Sequence, residues 1–125
     1  MCSSDLAKTF RYAFQGDLNA LDPYTLNETF TLGAIGNVME GLTRRDNDLK
    51  IIPGLAERWE VVDPLRWRFH LRKDVKFHDG SPFTADDVVF SLDRLRSPDS
   101  QIKSRVPADV TAQKVDDHTV DFILK

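Results

Sequence analysis

Three histidines, His70, His78 and His118, are the side chains best suited to hold a metal or move protons near neutral pH. Their spacing argues against both roles. They fall on different predicted elements, and no two stand at the short interval that places metal ligands on one face. Surface positions are expected for all three. Asp79, Asp86 and Asp87 have the composition of an acid/base cluster, but a turn at Asp79 and a helix start around Asp86 and Asp87 account for them more simply. Ser81 and Ser91 lack a nucleophile elbow, and Gly80-Ser81-Pro82 is no phosphate loop. Trp59 and Trp67 could stack on a ligand, yet both alternate in phase with apolar neighbours and read as core. No catalytic residue, metal or cofactor is expected, and the chain is not read as an enzyme.

Gln15, Gly16 and Asp17 are the best ligand-contact candidates. They follow a predicted strand, Thr9 to Phe14, with Phe10, Tyr12 and Phe14 on one face, and loops at strand ends commonly present binding groups. A peptide backbone needs donors and acceptors in extended order, and Gly16 can offer them without a side-chain clash. The competing reading is a solvent-exposed turn.

The elements that would carry these residues are legible from periodicity. Arg66, Arg68, His70 and Arg72 alternate with Trp67, Phe69 and Leu71, the period of a strand with one buried and one solvated face. Arg58 to Val62 repeats the phase, and Asp63-Pro64 joins the two strands as a hairpin turn. On this reading Trp67→Ala costs about 3 to 5 kcal/mol, and Arg68→Ala on the opposite face costs little. Val75 and Phe77 extend the apolar face before the turn residues His78 to Pro82. Thr84 is placed to cap a helix opening at Ala85, with Asp87 in its first turn and Val88, Val89, Leu92 and Leu95 as its apolar stripe.

Leu26 to Met39 predicts another helix with Phe30, Ala34, Ile35 and Val38 inward, and Gly33 and Gly36 point to a close approach by another backbone. Gly41 suits its stop. Asp46-Asn47-Asp48 makes a turn before the extended Ile51 to Pro53, and Val110 to Val115 with Thr119 to Leu124 form a second hairpin around Asp116-Asp117-His118. The fold class is α+β.

Composition narrows the partners. The 125 residues carry 17 basic and 20 acidic side chains, a formal charge of −3, and lysine and arginine do not cluster on one face, so nucleic-acid binding finds little support. No apolar run nears the roughly 18 residues of a bilayer span. The single cysteine excludes an internal disulfide framework.

The order W-E-V, W-R-F-H-L-R, K-F-H-D-G and T-A-D-D-V-V-F-S between Gly54 and Leu95 resembles the segment shared by the family 5 extracellular solute-binding proteins, the peptide, nickel and opine receptors of ABC importers. Upstream, Leu21-Asp22-Pro23 and Met39-Glu40-Gly41-Leu42 are similar to that family's L-D-P turn and E-G-L helix end, so the likeness runs from about Phe10 to Leu95. The resemblance implies a portion of a periplasmic-binding-protein-like two-lobe fold (type II, cluster C): residues 9–23 as the first strand and loop of lobe I, and residues 24–125 as an extra amino-terminal subdomain. It also implies capture of a peptide or small solute outside the cytoplasmic membrane by a monomer, periplasmic or cell-surface, which meets the membrane only through importer subunits or a lipid anchor. Tyr12 to Pro23 is similar to the first strand and loop of dipeptide-binding relatives, where backbone near the glycine matching Gly16 approaches the ligand. The alternative is the ligand-sensing domain of a transcription regulator carrying the same module. Because such receptors run to several hundred residues, the chain is expected to be an amino-terminal fragment, with the strand of Val120, Phe122 and Leu124 continuing.

Residues 1–8 stand apart from this pattern. Met1-Cys2-Ser3-Ser4-Asp5-Leu6 admits three readings: a lipid-bearing Cys2, a disordered start, or the translation of the sequencing-adaptor end GTG-TGC-TCT-TCC-GAT-CT. The adaptor reading is preferred.

Overall fold

The computed structural model describes residues 11, 13 and 15–125. Of the strand expected over Thr9 to Phe14 only Arg11 and Ala13 are described, both exposed and without a strand assignment; the rest of it, and the readings of Met1 to Leu6, lie outside the described residues. The rest is a helix α1 (Thr29–Ile35), a two-stranded hairpin β1 (Thr43–Arg45) and β2 (Ile51–Pro53), and a second hairpin β3 (Ala56–Asp63) and β4 (Arg66–Leu71). A helix α2 (Ala85–Leu95), a single 3-10 turn (Lys103–Arg105) and a third hairpin β5 (Thr111–Asp116) and β6 (Thr119–Ile123) follow. The α+β class stands.

The sheet order is β3-β4-β6-β5, antiparallel throughout. Thus β6 slots between β4 and its own hairpin partner, and Phe69 lies opposite both Trp59 and Val120. Residues directly opposite share a face. One face therefore collects Trp59, Trp67, Phe69, Val120, Phe122 and Ala112, and the other collects Glu60, Arg68, His70 and Asp121.

Helix α2 covers one end of the apolar face. The Asp87 carboxylate accepts from the Thr84 backbone N–H at 2.8 Å and from its hydroxyl at 3.2 Å, the Asp87 half of the capping box that satisfies a donor at the helix start. Ala85 and Val88 then pack with Ala56, Leu71, Phe83 and Val120 in the core. From the helix's outer side, Asp86 ion-pairs with Lys114 of β5 at 2.6 Å, and Asp117 meets the same ammonium at 2.7 Å. Those two carboxylates raise the Lys114 pKa, Asp117 first.

The opposite end of that face corrects the assignment of Trp67 to the core, for the residue is 38% exposed. The alternation places it on the apolar face as expected, but α2 sits over Leu71 and Val120 and does not reach it. Phe77 is likewise exposed, whereas Val75 packs against the core.

Arg68 needs correction too. Its guanidinium donates two bonds to Asp121, at 2.7 and 2.8 Å, and the Asp121 side chain is only 4% exposed. Charge-assisted, two-pronged bonding of this kind is the strong form. Arg68→Ala leaves a buried carboxylate unpaired and lowers the melting temperature by on the order of 5 to 10 °C. The pH dependence has a definite sign. Bonding from Arg68 holds the Asp121 carboxyl below its usual range despite partial burial. A depressed folded pKa contributes stability that is full above the unfolded value and lost as pH falls through the folded one. Melts between pH 6 and 2 are expected to show an acid-side loss that Arg68→Ala flattens; parallel curves for the two proteins would refute it.

Helix α1 spans seven residues rather than Leu26 to Met39. The Asn37 side chain donates to the carbonyls of Gly33 and Ala34 and competes with further helix. Ile35 is buried, as is Thr31, which periodicity did not mark, while Val38 is exposed. The close approach expected at Gly33 and Gly36 occurs instead at Gly41 and Gly54: a Cβ on Gly54 would stand 2.5 Å from the Gly41 carbonyl oxygen, whereas one on Gly33 would meet nothing within 4 Å. Gly41 therefore serves a backbone crossing, with Leu55 N–H donating to its carbonyl at 3.0 Å, and not a helix stop.

Candidate functional site

Gln15, Gly16 and Asp17 are all exposed, with a bend at the first two. The Asp17 carboxylate accepts from the Leu18 N–H at 2.9 Å and its carbonyl accepts from the Asn19 side chain at 3.4 Å, so the acidic residue shapes its own loop. Five residues on, the Asp22 carboxylate accepts from the Tyr24 N–H at 2.9 Å, and its carbonyl accepts from the Thr25 hydroxyl at 3.2 Å. The expected L-D-P turn is present. The loop therefore offers water-facing backbone and one carboxylate, a set that can hydrogen-bond a ligand but carries no covalent chemistry.

Two of the clefts among the described residues are mainly apolar, and both lie elsewhere. One, of about 300 Å³, is walled by Leu42, Thr43 and Ile51 of the first hairpin segment and by Trp59, Trp67, Phe69 and Phe122 of the sheet. Its aromatic floor is ordered: Trp59 stacks on Phe69 with centroids 6.2 Å apart, and Phe69 meets Phe122 edge to face at 5.3 Å. The other, of about 270 Å³, runs beside α2 between Tyr24, Leu55, Phe83, Leu92 and Val106, and shares Leu42 and Phe122 with the first. Gln15, Gly16 and Asp17 line neither. The structure does not bring the loop and the tryptophans into one site.

Most of the remaining candidates have structural partners. His70 Nε2 lies 2.9 Å from Glu60 Oε1, and that bond holds the Glu60 carboxyl below its usual range. His70 is thus half-buried and paired on the polar sheet face, which corrects the surface position expected for it. His78 is exposed, and His118 Nδ1 is buried without a hydrogen-bond partner at the β5–β6 turn. Asp79 accepts from both the N–H and the hydroxyl of Ser81, which lowers its pKa and closes the turn at Gly80, whose φ is +89°. Asp87 caps α2, and Asp86 pairs with Lys114. The three aspartates therefore point to three different tasks. No helix among the described residues is long and apolar enough to cross a membrane.

The sequence reading missed the contacts of Asp22 and Tyr24 with residues near the end of α2. Nothing in local periodicity marks them, because the partners are separated by about seventy positions.

Comparison with known proteins places this architecture. A family model described as bacterial extracellular solute-binding proteins, family 5 Middle, matches residues 50–125. The periplasmic oligopeptide-binding protein OppA of Escherichia coli K12 is 32% identical over 127 residues, covering 86% of this chain and 23% of the relative. The dipeptide-binding protein of the same organism is 32% identical over 146 residues, covering 99% of this chain and 27% of its own length. Among solved structures, MoaA from Agrobacterium tumefaciens R10 in complex with mannopinic acid superimposes with a TM-score of 0.78 at 37% identity, over 87% of this chain and 24% of that one. The chain spans about a quarter of the length of the relatives it matches. With over half of its residues matched by the family model, and a fold shared with a portion of these solute receptors, the chain belongs to the bacterial extracellular solute-binding proteins, family 5.

Proposed function

We propose that the protein to which this chain contributes captures a peptide or similarly small polar solute outside the cytoplasmic membrane and delivers it to the membrane subunits of an ABC importer. The observation that carries this reading is the family match over residues 50–125, joined to likeness along nearly the whole chain to proteins that bind oligopeptides, dipeptides and mannopinic acid. These relatives are binding proteins, which favours capture over the sensor domain of a transcription regulator. Residues 9–23 belong to the first lobe and residues 24–125 to an extra subdomain, and lobe closure buries the solute reversibly with no bond made or broken.

Gln15, Gly16 and Asp17 contribute one wall of that site. Their exposure and the backbone groups at Gly16 suit an extended polar ligand. A few hydrogen bonds of about 0.5 to 1.5 kcal/mol each do not offset the roughly 4 kcal/mol or more lost on association, so the other wall must come from elsewhere in a family-length protein. The protein acts as a monomer, periplasmic or at the cell surface.

The test is recovery of the complete gene and calorimetry of its product against di- to pentapeptides and opines. Micromolar or tighter binding of one class, weakened about tenfold or more by Gly16→Val, is expected. A helix-turn-helix ahead of Lys8, or full affinity in Gly16→Val, would sink the respective part of the proposal.

A further inference from the structure

Residues 22–27 are tied to the end of α2 and the loop behind it by contacts that local structure does not require. Arg94, in the last turn of α2, donates through Nη2 to Asp22 Oδ2 and through Nη1 to the Ser97 hydroxyl at 2.6 Å. Its guanidinium carbon stands 6.0 Å from the centre of the Tyr24 ring. The Gln101 N–H donates to the Tyr24 carbonyl at 2.9 Å, the Asn27 N–H donates to the Gln101 side chain at 3.3 Å, and Arg105 donates to the Asn27 side chain at 2.6 Å.

The bonds from residues 22–27 to this region cross sequence separations of 72 to 78 residues. Arg94 and Asp22 are only 31% and 34% exposed, so their attraction is less screened than that of a free surface pair. Asp22 also organises its own turn through the Tyr24 N–H. One side chain therefore receives the Arg94 charge with one oxygen and shapes the turn with the other.

We infer that Arg94 is a positioning residue for the candidate ligand loop: acting through Asp22 and Tyr24, it clasps the segment leaving Gln15, Gly16 and Asp17 to helix α2. The loop then keeps a defined place relative to the sheet when a solute arrives. This rests on the proposed role of residues 15–17, but its test does not use a ligand.

Nitroxide labels at Leu18→Cys and Glu57→Cys, both exposed, with Cys2→Ser, report the distance from the loop to β3 in the full chain by double electron–electron resonance. Arg94→Ala is expected to broaden that distribution on the order of twofold, and Arg94→Lys to narrow it again in part, while the melting temperature of the sheet moves little. Asp22→Asn provides a second variant, since the amide oxygen keeps the Tyr24 bond while the charge is lost. It should broaden the distribution as Arg94→Ala does. An unchanged width in either variant overturns the inference, as does broadening that appears only with loss of the folded sheet. Failure of the ligand reading would show elsewhere, as Gly16→Val binding solute like the parent.

Discussion

Leu71→Ala is expected to destabilise the chain by about 3 to 4 kcal/mol, whereas Trp67→Ala four positions earlier on the same strand face costs about 1 to 2 kcal/mol. Leu71 is 1% exposed and packs among Ala56, Phe83, Ala85, Val88 and Val120. Truncation there removes buried methyl groups and leaves a cavity that the neighbouring helix and strands fill only in part. Trp67 is larger, but over a third of its surface already faces solvent in the open aromatic cleft, so its truncation empties no enclosed volume. Guanidinium melts of the two variants decide the matter. A larger penalty for Trp67 would mean that the aromatic cleft is closed in solution.

Gly54→Ala is expected to cost about 2 to 3 kcal/mol, the price of forcing a methyl group into a close-packed backbone crossing. The added Cβ would lie 2.5 Å from the Gly41 carbonyl oxygen and 3.1 Å from that of Leu42. Both are backbone atoms and cannot swing aside as a side chain would. Relief requires the 41–42 segment to move from 54–56, which stretches the bonds from Gly54, Leu55 and Ala56 N–H to the Leu42 and Gly41 carbonyls, all between 2.9 and 3.1 Å. Gly33→Ala is the control. It sits inside α1 with open space at the Cβ position, so the same substitution should be neutral or stabilise by up to about 1 kcal/mol. Thermal melts should therefore move in opposite directions, and similar losses at both positions would refute the crossing as the source of the effect.

Sequence alone determined the local elements wherever one side chain or one period dictates the backbone. The alternation around Trp67 specified a strand, Asp63-Pro64 its turn, and Thr84 with Asp87 the opening of α2, all found within a few residues of their expected limits. Each is set by bonds or sterics within about four positions. The ordered motifs from Trp59 to Ser91 likewise sufficed to name the family, because their succession is far rarer than any single element.

Tertiary structure decided what depends on partners distant in the chain. Alternation separates the two faces of β4 but does not say which part of a face the helix will cover, so over a third of Trp67 faces water while Leu71 is sealed. Arg68 read as solvated because its register partner Asp121 lies 53 residues away, and only the insertion of β6 beside β4 brings the two charges together. The glycines show the same division. A helical segment containing Gly33 and a loop containing Gly54 look equally permissive in one dimension, and the crossing with Gly41 exists only in three. Gln15, Gly16 and Asp17 were legible as a polar loop from their residue types. The clasp that holds the chain leaving that loop was not, since Arg94 lies 72 positions from Asp22 and the fold alone brings them together.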